Sequence, residues 1–244
     1  MGSRSWDELV TTTGAAPTIT CCVFAWDEIA TLRPVVEAQL AELERLGVPH
    51  ELLIIDDGST DGTGLEADRL AREHPAVRVI HHAENRGLGG VYRTGFTGAR
   101  GEFVTFFPAD GQFPASILSQ YYPLIQRWDL VLGNLPRRTD KLVGALLGRV
   151  ERLLYRVLLG HVPRLEGVFI FRREILSRLP LKSEGRGWTV VWELVVRAHR
   201  AGLRIVGCPI TMLPRTHGAS KVNNLRNIAA NFRQLLGLRR LLDH

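Results

Sequence analysis

Lysine is almost missing from this 244-residue sequence: Lys141, Lys182 and Lys221 are the only three, and arginine supplies the rest of the 31 positive side chains. Arginine's planar fork suits phosphate recognition better than a lysine point charge does. Cysteine is equally scarce. Cys21, Cys22 and Cys208 form no metal-ligand spacing, and the adjacent pair on an apolar run must point to opposite faces of a strand. They read as buried free thiols of a reducing compartment. No uninterrupted apolar run approaches the ~20 residues that span a bilayer, and MGSRSWDELVTTTG has no apolar core of signal-peptide length. The expectation is a cytoplasmic chain, soluble or lying on the inner face of a membrane. Repeats, low-complexity tracts and linkers that would force a domain boundary are absent as well.

Several chemistries are excluded by missing motifs. There is no G-x-G-x-x-G and no P-loop lysine, so the glycines of ENRGLGGVYRTG, which follow a third strand and not the first, do not make a dinucleotide fingerprint. They suit a tight turn and close helix packing. No G-x-S-x-G occurs, which removes the nucleophile elbow of Ser/His/Asp hydrolases. His81 and His82 at a strand end favour a structural role. The net charge of +6 and pI near 9.7 would suit nucleic acid. However, the arginines lie in amphipathic helices without interleaved aromatic platforms, so no nucleic-acid partner is expected.

What is present is alternation. Apolar strand-like runs at 18–25, 51–55, 77–82, 102–108 and 129–135 are separated by segments with helical spacing, among them a helix over 113–128. Short connections and near-continuously apolar strands predict a mostly parallel α/β sheet covered by helices on both faces. LRIVGCPITML reads as a strand pair bent at Pro209. Ligands of such sheets bind at the carboxyl ends of the strands. That rule sets Trp26-Asp27-Glu28, Asp56-Asp57 and Asp110-Gly111-Gln112 along one rim. Asp27 and Asp61 are equally explained as helix N-caps.

The motifs ITCCVFAWDE, LLIIDDGSTDGT, ENRGLGG, FFPADGQF and RTHGASK resemble, in order and spacing, the family-2 inverting glycosyltransferases with the Rossmann-like GT-A fold. The nearest branch is that of dolichyl-phosphate mannose synthases and polyprenyl-phosphate glycosyltransferases. The resemblance spans residues 17–222, leaving an N-terminal tail at 1–16 and a basic amphipathic helix at 223–244. It implies transfer of a sugar, with inversion, from a GDP- or UDP-linked donor to a polyprenyl or dolichyl phosphate. A soluble or glycan hydroxyl acceptor, or a non-catalytic sugar-nucleotide-binding subunit, is the alternative.

Carried over residue by residue, the likeness sets Phe24, Ala25, Trp26, Glu28, Ile55, Asp56 and Asp57 around the base and ribose. The family's Asp-x-Asp falls on Pro108, Ala109 and Asp110. Pro108 cannot ligate through its side chain, so Asp110 with Gln112 would hold a divalent cation, Mg²⁺ or Mn²⁺. Arg215 and Lys221 would contact the donor phosphates, and Glu193 the sugar and acceptor region. Asp110, Glu193, Arg215 and Lys221 are therefore the implied catalytic set. For Glu193 a helix-face salt bridge within WELVVR is the competing explanation.

The arginine usual after the fifth strand is replaced by Gly133-Asn134-Leu135, with Arg137 or Arg138 as substitutes and Arg149 as a further acceptor-phosphate candidate. Glu166 stands where the family has aspartate. Residues 140–160 carry Leu142, Leu146, Val150, Leu153 and Val157 on one stripe, with arginines between them. Such a helix lies in a headgroup plane or packs against the sheet or a second subunit; the sequence leaves both open.

Overall fold

The computed structural model describes residues 16–135, 160, 162–215 and 237–242. Seven strands form one sheet: β1 (Ile19–Ala25), β2 (His50–Asp56), β3 (Val77–His81), β4 (Phe103–Pro108), β5 (Leu130–Asn134), β6 (Phe169–Arg172) and β7 (Ile205–Pro209). Their order is β3-β2-β1-β4-β6-β5-β7. All neighbours are parallel except β6, which runs antiparallel to both β4 and β5. The helices are α1 (Leu32–Leu46), α2 (Thr63–Glu73), α3 (Gly87–Gly98), α4 (Ile117–Ile125), α5 (Ile175–Arg178) and α6 (Thr189–Arg200).

Strand side chains alternate between two apolar layers. Ile19, Cys21, Val23, Leu52, Ile54 and Phe107 face one cluster with α1 and α4, while Cys22, Leu53, Ile55 and Phe106 face another with α3 and α6. Cys21 and Cys22 thus sit on opposite faces, buried and free, as expected. On the α3 side, aromatic rings fill the space: Tyr92 lies 4.7 Å from Phe106, and Phe96 meets Phe171 edge-on. Residues 237–242 are helical and pack Leu238 and Leu242 against Val196 of α6.

Each of the five expected strand ends falls within a residue of the observed one. Two expectations differ. α4 spans Ile117–Ile125, shorter than 113–128. Pro114 biases Phe113 away from the α region, and Pro123 lacks an amide for the last turn. After Pro209 there is no second strand: Ile210 N donates to Asn134 O, where β5 ends and leaves nothing further to pair with.

One glycine fixes how α3 meets the loop before α6. A Cβ on Gly89 would lie 1.9 Å from Gly185 O, and the Gly89 amide donates to Arg186 O (2.9 Å). Gly89→Ala must push the loop aside, at about 2 kcal/mol. The expected result is a thermal midpoint lowered by roughly 4–8 °C, read by circular dichroism. An unchanged midpoint would show that the loop is not held there.

Candidate functional site

The rim at the carboxyl ends of β1 and β2 is built from two loops locked to each other. Asp27 takes φ 50°, a left-handed conformation that aspartate tolerates better than most residues. Its Oδ1 accepts from Thr60 N, and its own amide donates to Ser59 Oγ. Glu28 N donates to Thr63 Oγ1 and Ile29 N to Asp61 Oδ2. Asp61 also accepts from Thr63 N at the start of α2. The N-cap of α2 is Gly62, so Asp61 is not the cap the sequence offered but braces the first turn from one residue before it, whereas Asp27 staples the loops. Gly58, at φ 71°, allows the β2 loop to lie against Glu84: a Cβ there would be 2.7 Å from the Glu84 carbonyl carbon.

The two aspartates closing β2 diverge. The sheet register pairs Asp56 with His81, and His81 Nδ1 lies 2.9 Å from Asp56 Oδ2 while its Nε2 lies 3.0 Å from Asp68 Oδ1. The hydrogen bond to Asp56, opposed by partial burial and supported by Asp68, raises the His81 pKa. The stabilisation from this raised pKa is complete below the unfolded histidine's pKa and is lost as pH rises through the raised value. Asp57 points to the opposite face. It accepts from Arg86 N, Gly87 N and the buried His82, so it caps α3. His82 reaches on to Thr94 Oγ1 (2.7 Å). The histidines are structural, as the sequence favoured, but sequence reasoning missed their partners: adjacent carboxylates and adjacent imidazoles end neighbouring parallel strands, and that register was the available signal.

The functional cluster lies at the end of β4. Ala109 N donates to Phe24 O, tying the strand end to β1. Asp110 Oδ1 accepts from Gln112 N (3.0 Å). Gln112 is paired with the segment after β7: Leu213 N donates to Gln112 O (2.7 Å), and Gln112 Nε2 faces Leu213 O (3.4 Å). Two residues on, Arg215 Nη2 lies 2.6 Å from Glu28 Oε1 and 3.7 Å from Asp110 Oδ2. Glu28, Asp110, Gln112 and Arg215, from three distant segments, thus converge. All three charged side chains are less than one-fifth exposed, so their fields are only partly screened. Trp26 stands at the rim, 40% exposed.

Other residues implied by the resemblance are placed elsewhere. Ala25, Ile55 and Ala109 are buried in the core, so only their backbones face the rim, while the half-buried Phe24 packs near Tyr92. Pro108 is the last residue of β4, paired with Phe24. Glu193 is fully buried, and both its oxygens are occupied: Lys182 N, Ser183 N (2.7 Å) and Arg197 Nε (2.8 Å) all donate to it. Burial alone would raise its pKa, but these donors outweigh it and hold the carboxyl below the usual range. The salt bridge within WELVVR is thus what the side chain makes, and both oxygens are turned to Lys182, Ser183 and Arg197. Lys221, Arg137, Arg138, Arg149, the 140–160 helix and most of 1–16 and 223–244 lie outside the described residues. Glu166 accepts from Leu135 N and pairs with Arg164 beside β5.

Among the described residues no three His, Cys, Asp or Glu side chains cluster to hold a metal, and no helix is long and apolar enough to cross a membrane.

The sequence profile described as glycosyl transferase family 2 matches residues 20–179. The chain is 33% identical over 211 residues to the polyprenol monophosphomannose synthase of Mycolicibacterium smegmatis, covering 79% of this chain and 78% of that protein. It is 32% identical over 191 residues to the undecaprenyl-phosphate mannosyltransferase of Micrococcus luteus, covering 73% and 79%. A crystal structure of glucosyl-3-phosphoglycerate synthase from Mycobacterium tuberculosis, holding Mn²⁺, UDP and glucosyl-3-phosphoglycerate, superposes with a TM-score of 0.64 at 24% identity, over 93% of this chain and 79% of that one. That likeness establishes the GT-A fold.

Proposed function

The chain belongs to glycosyl transferase family 2 and is a glycosyltransferase, and from that premise we propose that it moves a sugar, with inversion, from a nucleotide sugar to a polyprenyl phosphate. The observation that carries this reading is the convergence of Glu28, Asp110, Gln112 and Arg215 at the carboxyl rim, in a chain whose relatives are named as polyprenyl-phosphate mannosyltransferases.

The donor set fits a divalent cation of the Mg²⁺ or Mn²⁺ type. Such ions take one or two protein carboxylates and complete their shell with substrate phosphate oxygens. Asp110 Oδ2 and the Gln112 amide oxygen are hard donors of that kind on one loop. A bound cation would supply charge neutralisation for the departing diphosphate. The protein's own part is to position and enclose. Arg215 offers its guanidinium to the same diphosphate. The Gln112–Leu213 backbone pair fixes the Arg215 segment over the β4 loop. Trp26 offers an apolar platform beside it.

The state of Glu193 supports this acceptor class. A hydroxyl acceptor needs a base within hydrogen-bond reach, and Glu193, the carboxylate that the resemblance sets in the acceptor region, is buried with both oxygens taken by donors. A phosphate monoester is already anionic at neutral pH and needs none. A lipid-borne acceptor also requires the protein to work at a membrane surface.

The test is to incubate the chain with labelled GDP- and UDP-sugars and short polyprenyl phosphates, and to extract the organic phase. A labelled glycolipid is the expected result. Transfer only to water-soluble hydroxyl acceptors would overturn the acceptor assignment. Nucleotide binding with no transfer from any donor would favour a binding subunit.

A further inference from the structure

We propose that Arg215 is a built-in counter-cation shared between Glu28 and Asp110, and that Glu28 is the positioning residue whose hold on it sets how strongly Asp110 takes up a divalent ion. This rests on the cation-assisted reading of the site given above.

A single nitrogen faces both acids. Arg215 Nη2 lies 2.6 Å from Glu28 Oε1 and 3.7 Å from Asp110 Oδ2. Both carboxylates are held from behind. Glu28 accepts from Thr31 Oγ1 on its other oxygen (3.2 Å), and its backbone is tied to Thr63 Oγ1. Asp110 is held at Oδ1 by Gln112 N, which leaves Oδ2 as the oxygen directed at Arg215. The arginine's own segment is pinned by the Leu213–Gln112 pair. The three side chains are 13%, 14% and 19% exposed, so a change at one is felt at the others.

Asp110 Oδ2 is also the oxygen a divalent ion would use. A fixed monocation at 3.7 Å repels an incoming dication and competes for the same lone pairs. Glu28 limits that competition by drawing the guanidinium to its own side. When a diphosphate enters, its negative charge offers Arg215 a third partner, and Asp110 is released to the metal. Cation uptake is therefore weak without nucleotide and strong with it. The resemblance sets Pro108 where a second carboxylate would stand, so within the Pro108-Ala109-Asp110 triplet the arginine's position acts on Asp110 alone.

Mn²⁺ binding to the full chain, read by loss of the free-ion EPR signal, tests this without any turnover. In the absence of nucleotide, Arg215→Gln should raise Mn²⁺ affinity about tenfold, a difference of about 1.4 kcal/mol. Glu28→Gln should lower it about threefold or more, because the guanidinium then falls to Asp110. The double variant should match Arg215→Gln, because Glu28 acts through the guanidinium, and Arg215→Lys, which keeps the charge, should stay within about twofold of wild type. Misfolding cannot imitate opposite shifts from two single variants, and thermal midpoints check each protein. Single variants that both stay within twofold of wild type, or that shift in the same direction, overturn the proposal. Nucleotide-dependent Mn²⁺ uptake that ignores both substitutions overturns this proposal alone. A wild-type chain that takes up no Mn²⁺ even with UDP or GDP overturns the cation reading and this proposal with it.

Discussion

Asp110→Asn is expected to slow sugar transfer by roughly 10²–10³-fold, the cost usually seen when one fixed electrostatic contact to a developing charge is removed. The cause lies in the β4 loop. Pro108 leaves Asp110 as the only carboxylate of the Pro108-Ala109-Asp110 triplet. Asparagine is isosteric and its Oδ1 still accepts from Gln112 N, so the loop that joins Leu213 should keep its shape. Only the charge is lost. The leaving diphosphate would then depart without a carboxylate-held cation, with the Arg215 guanidinium beside it as counter-charge. Initial rates at saturating donor, with Mn²⁺ or Mg²⁺ varied, check the result, beside a thermal midpoint that should move by no more than about 2 °C. A rate within tenfold of wild type, in a folded variant, would remove Asp110 from the centre of the mechanism.

The largest effect on stability is expected at Glu193. Its carboxylate projects from α6 and accepts from the Lys182 and Ser183 amides, while Arg197, one turn on, closes the remaining side. On the far side of the same loop, Arg93 donates to Ser183 O and Gly185 O, and Gly89 to Arg186 O. Glu193→Ala would take the acceptor from the buried Ser183 amide and the part-buried Lys182 amide, and leave the largely buried Arg197 guanidinium with its bond to Leu241 O. Breaking such a set from one side costs roughly 3 kcal/mol, equivalent to about 6–12 °C in the thermal midpoint of a domain this size. The pH dependence has a definite sign. Because the folded pKa is depressed, the wild-type stabilisation is present above the unfolded carboxylate's pKa and is lost as pH falls through the lower folded value. The difference between wild type and variant should therefore be full at neutral pH and shrink in acid. An equal gap at all pH values would mean that packing, not charge, is what Glu193 provides.

These two carboxylates show what could be read from the residues in advance. Asp110 was visible because an apolar run stops at a Pro-Ala-Asp-Gly turn, and the rule that ligands gather at parallel strand ends then fixed its place. The strands themselves were legible for the same reason: a strand buried on both faces must be apolar throughout. Glu193 was misplaced because its position in a helix says nothing about which loop covers that face. The link to Lys182 and Ser183 is a tertiary choice made by α3 and its glycines. Asp56 and Asp57 were legible as rim residues but not as partners of His81 and His82, since that depends on strand register. The position of β6 was hidden for a related reason. Nothing local in FIFR says that it enters between β4 and β5 and runs the other way.

That insertion bears on how the chain is made. β4 ends at Pro108, and the strand that will cover its open edge begins only at Phe169. At a synthesis rate of 5–20 residues per second, roughly 3–12 s pass before β6 is produced. Through that interval the N-terminal β3-β2-β1-β4 half has all its parallel partners, while Phe103-Val104-Thr105-Phe106-Phe107 shows an unpaired row of amides and carbonyls. β5 is made meanwhile, but it bonds to β6 and β7 and not to β4. A nascent chain with a long apolar edge and no waiting strand is a template for another copy beside it. Crowded polysomes, more than the finished protein, are where this fold is exposed to misassembly.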